Sequence, residues 1–253
     1  MLEIKNMTVD IGGLKIVNDV SFRVDSGQWL MIAGPNGAGK STIISAISQG
    51  VRYTGDVLFE GRNVKAIRPS ELAKCFGVLT QNHAVGYSFT VAEVVNLGRY
   101  SYSRGVFSGR GENDTDKIDR ALELTGLTAL RDQSVLTLSG GELQRTFLAQ
   151  LFAQDPKMLI LDEPTNHLDL VYQREIFELI CGWIKETGGS VVSVVHDLSL
   201  AKKYGTDAIL VSGGRLIASG KTAEVLSREN LSSVYSMDVY DWMNTMLSQW
   251  KEE

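Results

Sequence analysis

Gly34-Pro35-Asn36-Gly37-Ala38-Gly39-Lys40-Ser41 decides how this chain is read. It follows the apolar run Trp29-Leu30-Met31-Ile32-Ala33 and precedes Thr42-Ile43-Ile44-Ser45-Ala46-Ile47. The order strand, glycine loop, helix is the context that a phosphate loop of the form G-x-x-x-x-G-K-[ST] requires. Glycines let consecutive backbone N–H groups turn toward one point and form an anion-binding concavity. The helix that follows adds unsatisfied N-terminal donors and the positive end of its dipole. Lys40 supplies a cation for the terminal phosphates, and the Ser41 hydroxyl is a ligand for Mg²⁺. The plainer reading is an ordinary glycine turn. The bare pattern arises by chance in roughly one chain in a hundred of this length, and the correct flanks lower that further.

The rest of the composition is ordinary. The 253 residues are 43% hydrophobic and 22% charged, with a formal net charge of −5. That length buries a proper core, and no long stretch has the composition of disorder. An acidic chain of pI about 5.4 argues against a nucleic-acid binder, which shows a basic face. Cys75 and Cys181 lack C-x-x-C spacing and a neighbouring His cluster, and read as reduced, buried or half-buried thiols of a cytosolic protein. The opening residues lack the basic-then-apolar order of a secretory signal. No apolar run reaches the about 18 residues of a membrane span, so a membrane role is expected to come through a partner.

Working outward from the loop, residues 2–33 read as strands, turning at Gly12-Gly13 and at Asp25-Ser26-Gly27. The helix after Lys40 is expected to end at Gly50. Residues 55–59 form a further strand closed by the Glu60-Gly61 turn, Pro69 opens a short helix, and Phe76–Leu79 is a buried strand. After Gln81 the character changes. Thr90-Val91-Ala92-Glu93 is a capping box opening an apolar helix. Residues 99–116, rich in Ser, Gly, Arg and Asp, read as a mobile surface loop. Ile118, Ala121, Leu122 and Thr125 share one helix face, ended by Gly126. Ser139-Gly140-Gly141-Glu142 is a second capping box, and its helix stops at Asp155-Pro156. Then the αβ alternation returns. Met158–Leu161 is a strand buried on both faces, Asp169 caps a helix ending at Gly188-Gly189, Val191–Val195 is another strand, Ser212–Arg215 is a hairpin turn, and 221–253 holds short helices. The expected architecture is a single α/β domain. Residues 1–81 and 156–253 form a parallel-sheet core with an antiparallel N-terminal part, and 82–155 form a helical subdomain.

Asp162-Glu163, after an apolar strand, is the expected second half of a phosphate-loop site. The strand aims Asp162 at the phosphates, where it holds Mg²⁺ directly or through water. Glu163 polarises the attacking water as general base. Alone, an acidic turn ending a strand would be the commoner reading. Leu138-Ser139-Gly140-Gly141-Glu142 followed by Gln144, in order with Gly34–Ser41, Gln81, Asp162-Glu163 and His196, resembles the ATP-binding subunit of an ABC transporter over essentially the whole chain. The resemblance implies a P-loop NTPase (RecA-like) fold that hydrolyses ATP with Mg²⁺. It implies a nucleotide held by Gly34, Pro35, Asn36, Gly37, Ala38, Gly39, Lys40, Ser41 and Thr42. It also implies a head-to-tail homodimer in which Ser139, Gly140, Gly141 and Glu142 of one copy serve the γ-phosphate bound by the other. Gln81 resembles the Q-loop glutamine, which touches Mg²⁺ and the attacking water. His196 resembles the switch histidine that contacts the γ-phosphate, and Asp169 the D-loop aspartate that works across the dimer interface. His167 reads as structural, and no transition-metal site is expected. One position departs from the family. An aromatic residue near the first hairpin usually stacks on adenine, and here Ile11 stands in that register, so the base is expected to be held by apolar contact.

Leu79-Thr80-Gln81-Asn82-His83 and Phe89–Tyr100 are similar to the importer branch that takes up iron–siderophores, haem or cobalamin. That likeness implies two transmembrane permease subunits docked near Gln81 and residues 87–100. It implies an extracytoplasmic solute-binding protein as an indirect partner, no nucleic acid, and a peripheral place on the cytoplasmic face of the plasma membrane. A soluble ABC protein acting on ribosomes shares the run Thr165–Asp169, but such proteins usually carry two motif sets per chain and this chain has one. A nucleotide-sensing module that does not hydrolyse has no need of Lys40, Asp162, Glu163 and His196 together.

Overall fold

The computed structural model describes residues 1–80, 88–102 and 112–250, without the side chains of 112 and 113. In chain order its elements are β1 (Leu2–Ile11), β2 (Leu14–Val24), β3 (Trp29–Ala33), α1 (Lys40–Ile47), β4 (Thr54–Phe59), β5 (Arg62–Asn63), α2 (Pro69–Cys75), β6 (Phe76–Leu79), α3 (Val91–Leu97), α4 (Glu112–Leu124) and α5 (Gly140–Gln154). There follow β7 (Met158–Asp162), α6 (Leu170–Thr187), β8 (Ser190–Val194), α7 (Leu198–Tyr204), β9 (Asp207–Ser212), β10 (Arg215–Lys221), α8 (Thr222–Val225), α9 (Arg228–Tyr235) and α10 (Val239–Ser248). The residues group into two compact units. One comprises Met1–Val24, Trp29–Gly61 and Val194–Glu253, the other Asp25–Gln28 and Arg62–Ser193.

In the first unit, β1 pairs antiparallel with β2 and β4. Leu2, Ile4, Met7 and Val9 of β1 are buried between more exposed residues, as a half-covered strand dictates. Gly12 and Gly13 link β1 to β2 at φ 62° and 84°, and a two-residue turn with both centres positive matches the twist of the strands. β3 is buried at all five positions and runs parallel to β9, from Leu30↔Asp207 to Ala33↔Leu210. β9 returns antiparallel through β10. The helix after Lys40 ends earlier than Gly50. α1 stops at Ile47, and Gln49, at φ 63°, takes the left-handed position. The Gly50 N–H then reaches the Ser45 carbonyl at 2.7 Å and the Gln49 N–H that of Ala46 at 3.2 Å, a Schellman closure without glycine at its usual place.

In the second unit, β6 and β7 are parallel, from Phe76↔Met158 to Leu79↔Leu161. Helices α3, α4 and α5 pack on one another. A Cβ on Gly98 would lie 2.2 Å from the Gln150 carbonyl oxygen, so glycine sets how closely the end of α3 approaches α5. The expected surface loop over 99–116 is corrected at both ends. Arg99 is buried, donating to Asp114 at 2.8 Å and to the Ala153 carbonyl at 2.9 Å, with Tyr102 stacked 3.9 Å from its guanidinium. α4 begins already at Glu112. A polar helix start and a buried ion pair have the composition of a loop, which is why polarity alone misled. Phe152 stacks on Trp183 at 6.2 Å between ring centroids, joining α5 to α6. Among the described residues, no helix is long and apolar enough to cross a membrane.

Candidate nucleotide site

In the first unit the chain leaves β3 through Gly34 at φ 146°, a conformation open essentially to glycine. A Cβ there would lie 2.0 Å from the Val211 carbonyl oxygen of β9. Gly37 and Gly39 follow at φ 76° and 96°, and a Cβ on Gly39 would lie 2.7 Å from the Ile16 carbonyl oxygen. Three positions of the loop are thus glycine for conformational or steric reasons. Lys40 opens α1 and folds back over the loop, its ammonium donating to the carbonyls of Gly34 at 2.8 Å and Pro35 at 3.0 Å. The side chain is buried, which sets a cationic side chain at the helix N-terminus, where anionic oxygen is attracted. Ser41 and Thr42 continue the first turn of α1, half-buried.

Other parts of this unit fasten the loop. The Gly214 N–H donates to the Ala38 carbonyl at 3.2 Å, and the Gly214 carbonyl accepts from the Asn18 N–H at 2.8 Å. Burial pushes the Tyr235 phenol up, while a hydrogen bond from the Gly34 backbone pulls it the other way. The Val195 N–H donates to the Ile32 carbonyl at 3.4 Å, and the next residue is His196, exposed. Asp197 caps α7, accepting from the N–H groups of Ser199 and Leu200 at 2.7 and 3.2 Å. Ile11 pairs with Leu14 across the first turn, and both are exposed.

In the second unit Asp162 ends β7, buried. Glu163 follows at φ 53°, a left-handed conformation that is costly for a residue with a side chain. Asn166 holds the turn, its N–H donating to the Glu163 carbonyl at 3.1 Å and its Nδ2 to Glu163 Oε2 at 3.0 Å. Gln144 of α5 donates to the Pro164 carbonyl at 2.7 Å, and Gln173 of α6 to the Leu168 carbonyl at 2.9 Å. The acidic turn is therefore tied to two helices. Asp169 caps α6, one carboxylate oxygen accepting from Val171 and Tyr172 N–H at 3.1 Å each.

Both halves of the second capping box form. The Glu142 N–H donates to Ser139 Oγ at 3.3 Å, and the Ser139 N–H and hydroxyl donate to Glu142 Oε2, each at 2.8 Å. These two bonds from Ser139, backbone first, hold the Glu142 carboxyl below the usual carboxylate range. A Cβ on Gly141 would lie 2.3 Å from the Tyr172 ring, whereas one on Gly140 would meet nothing nearer than Leu168 Cδ2 at 3.8 Å.

Residues 17–166 match the sequence profile of the family described as "ABC transporter". The chain belongs to the ABC transporter family. It is an ATP-binding, ATP-hydrolysing cassette of that family, and membership carries with it pairing of cassettes and a membrane permease partner. The cassette is 36% identical over 229 residues to the uncharacterized ABC transporter ATP-binding protein YvrA of Bacillus subtilis, covering 90% of this chain but 52% of YvrA. It is 32% identical over 240 residues to the petrobactin import ATP-binding protein YclP of Bacillus subtilis, covering 94% of each chain. It is 38% identical over 240 residues to the hemin import ATP-binding protein HmuV of Rhodococcus jostii, covering 94% of this chain and 80% of that one. Among solved structures, the ADP conformation of MJ1267, an ATP-binding cassette of an ABC transporter, is 26% identical with a TM-score of 0.82, covering 93% of this cassette and 98% of that chain.

Of the site residues read from sequence, Ile11, Gly34–Thr42 and His196 lie in the first unit, and Ser139–Glu142, Asp162, Glu163 and Asp169 in the second. Gln81 lies outside the described residues. Two contributors carry no motif. Gly214 is recognisable in sequence as a turn glycine, but only the fold reveals that the turn braces the loop. Tyr235 sits in a short polar helix with nothing local to connect it to Gly34.

Proposed function

We propose that this cassette hydrolyses ATP to power import of an iron chelate, haem or cobalamin-type solute through a separate membrane permease. One observation carries the ATP half, the buried Lys40 ammonium held over a loop in which Gly34 and Gly39 leave no room for a side chain and Gly37 takes a positive φ. The solute class rests on relatives named for petrobactin and hemin import.

Two copies pair head to tail. The phosphate loop of one copy holds the ATP, with backbone N–H groups and Lys40 on the phosphates and Ile11 against the base. Ser139-Gly140-Gly141 of the other copy closes on the γ-phosphate through the N-terminus of α5. Glu163 takes the proton of the attacking water, and Asn166 keeps its carboxylate oriented. His196 and Gln81 contact the γ-phosphate and the water, and Asp169 acts across the interface. Ser41 and Asp162, with Gln81, carry the oxygen donors that would hold Mg²⁺. These are hard donors, and so few of them leave the remaining positions to phosphate oxygens and water. When bound, that ion would neutralise charge on the β- and γ-phosphates. The helical subdomain, residues 82–155, faces two permease subunits at the cytoplasmic side of the membrane, and the exposed Leu97 and Tyr100 support that docking. An extracytoplasmic solute-binding protein delivers the cargo.

Glu163→Gln tests the scheme. Hydrolysis is expected to fall at least about 100-fold, while Mg²⁺-ATP tightens pairing of the variant. Unchanged hydrolysis would remove Glu163 as the base. Failure of ATP to tighten pairing would end the head-to-tail arrangement. Uptake by proteoliposomes holding the copurified permease, compared for ferric siderophore, haem and cobalamin, assigns the solute.

A further inference from the structure

The last helix of the first unit presents an apolar face that its own unit leaves uncovered. In α10 only Val239 is buried, and Met243 is half-buried. Trp242 and Met246 lie one turn apart in a stripe on one face of α10, and Trp250 follows in the turn just past its end. They are 54%, 47% and 83% exposed, with Leu247 beside them at 62%. A helix of this length is marginal in water on propensity alone, and monomer surfaces rarely show so continuous an apolar patch. Next to the stripe, between α7 and α10, a cavity of about 410 Å³ is lined by Leu198, Lys202, Leu231, Tyr240, Met243 and Leu247. The surface therefore offers a protruding indole and a recess side by side.

We infer that α10 pairs with α10 of a second copy of this chain about a two-fold axis, stripe against stripe, and that the contact forms without nucleotide. A self-paired interface must be complementary to itself, and a stripe beside a recess meets that demand. The exposed parts of Trp242, Met246, Leu247 and Trp250 amount to roughly 550 Å² per copy, so a contact that covers them wholly buries about 1,100 Å² in the pair, the size at which a specific interface begins, about 1,000 Å². Asp241 is the only charged residue of α10, so two copies meet without opposed rows of like charge. α10 itself carries no Lys or Arg, but Lys202 and Lys203 line the recess beside it, Lys202 donating to the Tyr240 hydroxyl at 2.7 Å, so an anionic lipid surface is the competing occupant that the vesicle arm below tests. The contact goes beyond the nucleotide-dependent pairing proposed above and does not depend on it.

Sedimentation of the full chain without nucleotide or Mg²⁺, over a wide concentration range, tests the contact. The wild type is expected to be a reversible dimer. Trp242→Ala with Trp250→Ala is expected to raise its dissociation constant at least about 30-fold with an unchanged thermal melt. In a Cys75→Ser, Cys181→Ser background, Met246→Cys is expected to cross-link between copies under mild oxidation, and the exposed Glu60→Cys is not. A nucleotide-free monomer, or a dimer indifferent to the loss of both indoles, overturns the inference. So does a monomer that floats with phosphatidylglycerol vesicles only while both indoles are present. If the nucleotide-free dimer persists but ATP fails to tighten pairing of Glu163→Gln, the head-to-tail scheme falls and this contact stands.

Discussion

Gly140 and Gly141 stand together at the head of α5 but are glycines for different reasons. A Cβ on Gly141 would lie 2.3 to 2.6 Å from three Tyr172 ring atoms, while one on Gly140 would lie 3.8 Å from the end of Leu168, ordinary contact. Neither is among the residues with positive φ. Internal packing therefore demands glycine at 141 and not at 140. Gly140→Ala is expected to stabilise the protein by about 0.4–1 kcal/mol, because alanine has less backbone freedom to lose on folding. In a chain of this size that is a rise of about 1–4 °C in midpoint. Gly141→Ala must displace the Tyr172 ring and is expected to cost about 1–3 kcal/mol. Activity runs against stability at Gly140. If its bare backbone receives the γ-phosphate held by the other copy, a methyl group there displaces that phosphate by about 1 Å or more. Hydrolysis then falls about 100-fold. Thermal and denaturant melts read the first quantity, and steady-state phosphate release with Mg²⁺-ATP reads the second. A variant both more stable and inactive cannot be attributed to misfolding. A Gly140→Ala protein with wild-type turnover would refute the placement of a γ-phosphate at α5, and a destabilised one would refute the packing argument.

Three further outcomes are expected. Ile11→Trp supplies a ring at the first hairpin, worth about 0.5–1.5 kcal/mol of stacking, so KM for ATP falls about 2- to 10-fold with kcat unchanged; an unmoved KM would place the base elsewhere. Arg99→Met strands the Ala153 carbonyl and the part-buried Asp114, costing about 2–3 kcal/mol in denaturant melts, and Asp114→Asn in the same chain is expected to recover part of the loss. The Glu142 carboxyl is held below its ordinary range by Ser139, so its contribution to stability is present above about pH 4.3, the unfolded value, and is lost as pH falls through the lower folded one. The gap in stability between wild type and Glu142→Ala should therefore narrow on acidification, and a gap that widens would contradict the cap.

Much of this was legible because the relevant physics is local. Strand, glycine loop and helix follow one another without a break at Trp29–Ile47, and the capping boxes at Thr90 and Ser139 each lie within four residues, so both could be read and both form. What was missed depends on partners far away in sequence. Arg99 looks like a loop residue until α4 and the end of α5 supply Asp114 and the Ala153 carbonyl. Gly214 looks like any hairpin glycine until Ala38 and Asn18 are seen on either side of it. Gly50 was the natural helix stop by composition, yet Gln49 takes the left-handed position, because the Schellman bonds need that backbone shape and tolerate a side chain that points to water.

The residues proposed to carry function share a property that composition hides: each is worse for stability than an available alternative. Glycine at position 163 would remove the cost of a left-handed side chain, which is of order 1 kcal/mol or more, yet the chain has a carboxylate there and three hydrogen bonds, from Asn166 and Gln144, to hold its turn. Alanine at 140 would favour the helix. An apolar residue in place of Lys40 would avoid desolvating a buried ammonium that donates to the carbonyls of Gly34 and Pro35. Stability alone selects none of these choices, and all three converge if the loop, the acidic turn and the head of α5 handle one nucleotide. The indoles of Trp242 and Trp250 belong to the same class. Polar residues at those positions would serve a solitary helix better, and the pairing of α10 inferred above would account for both indoles.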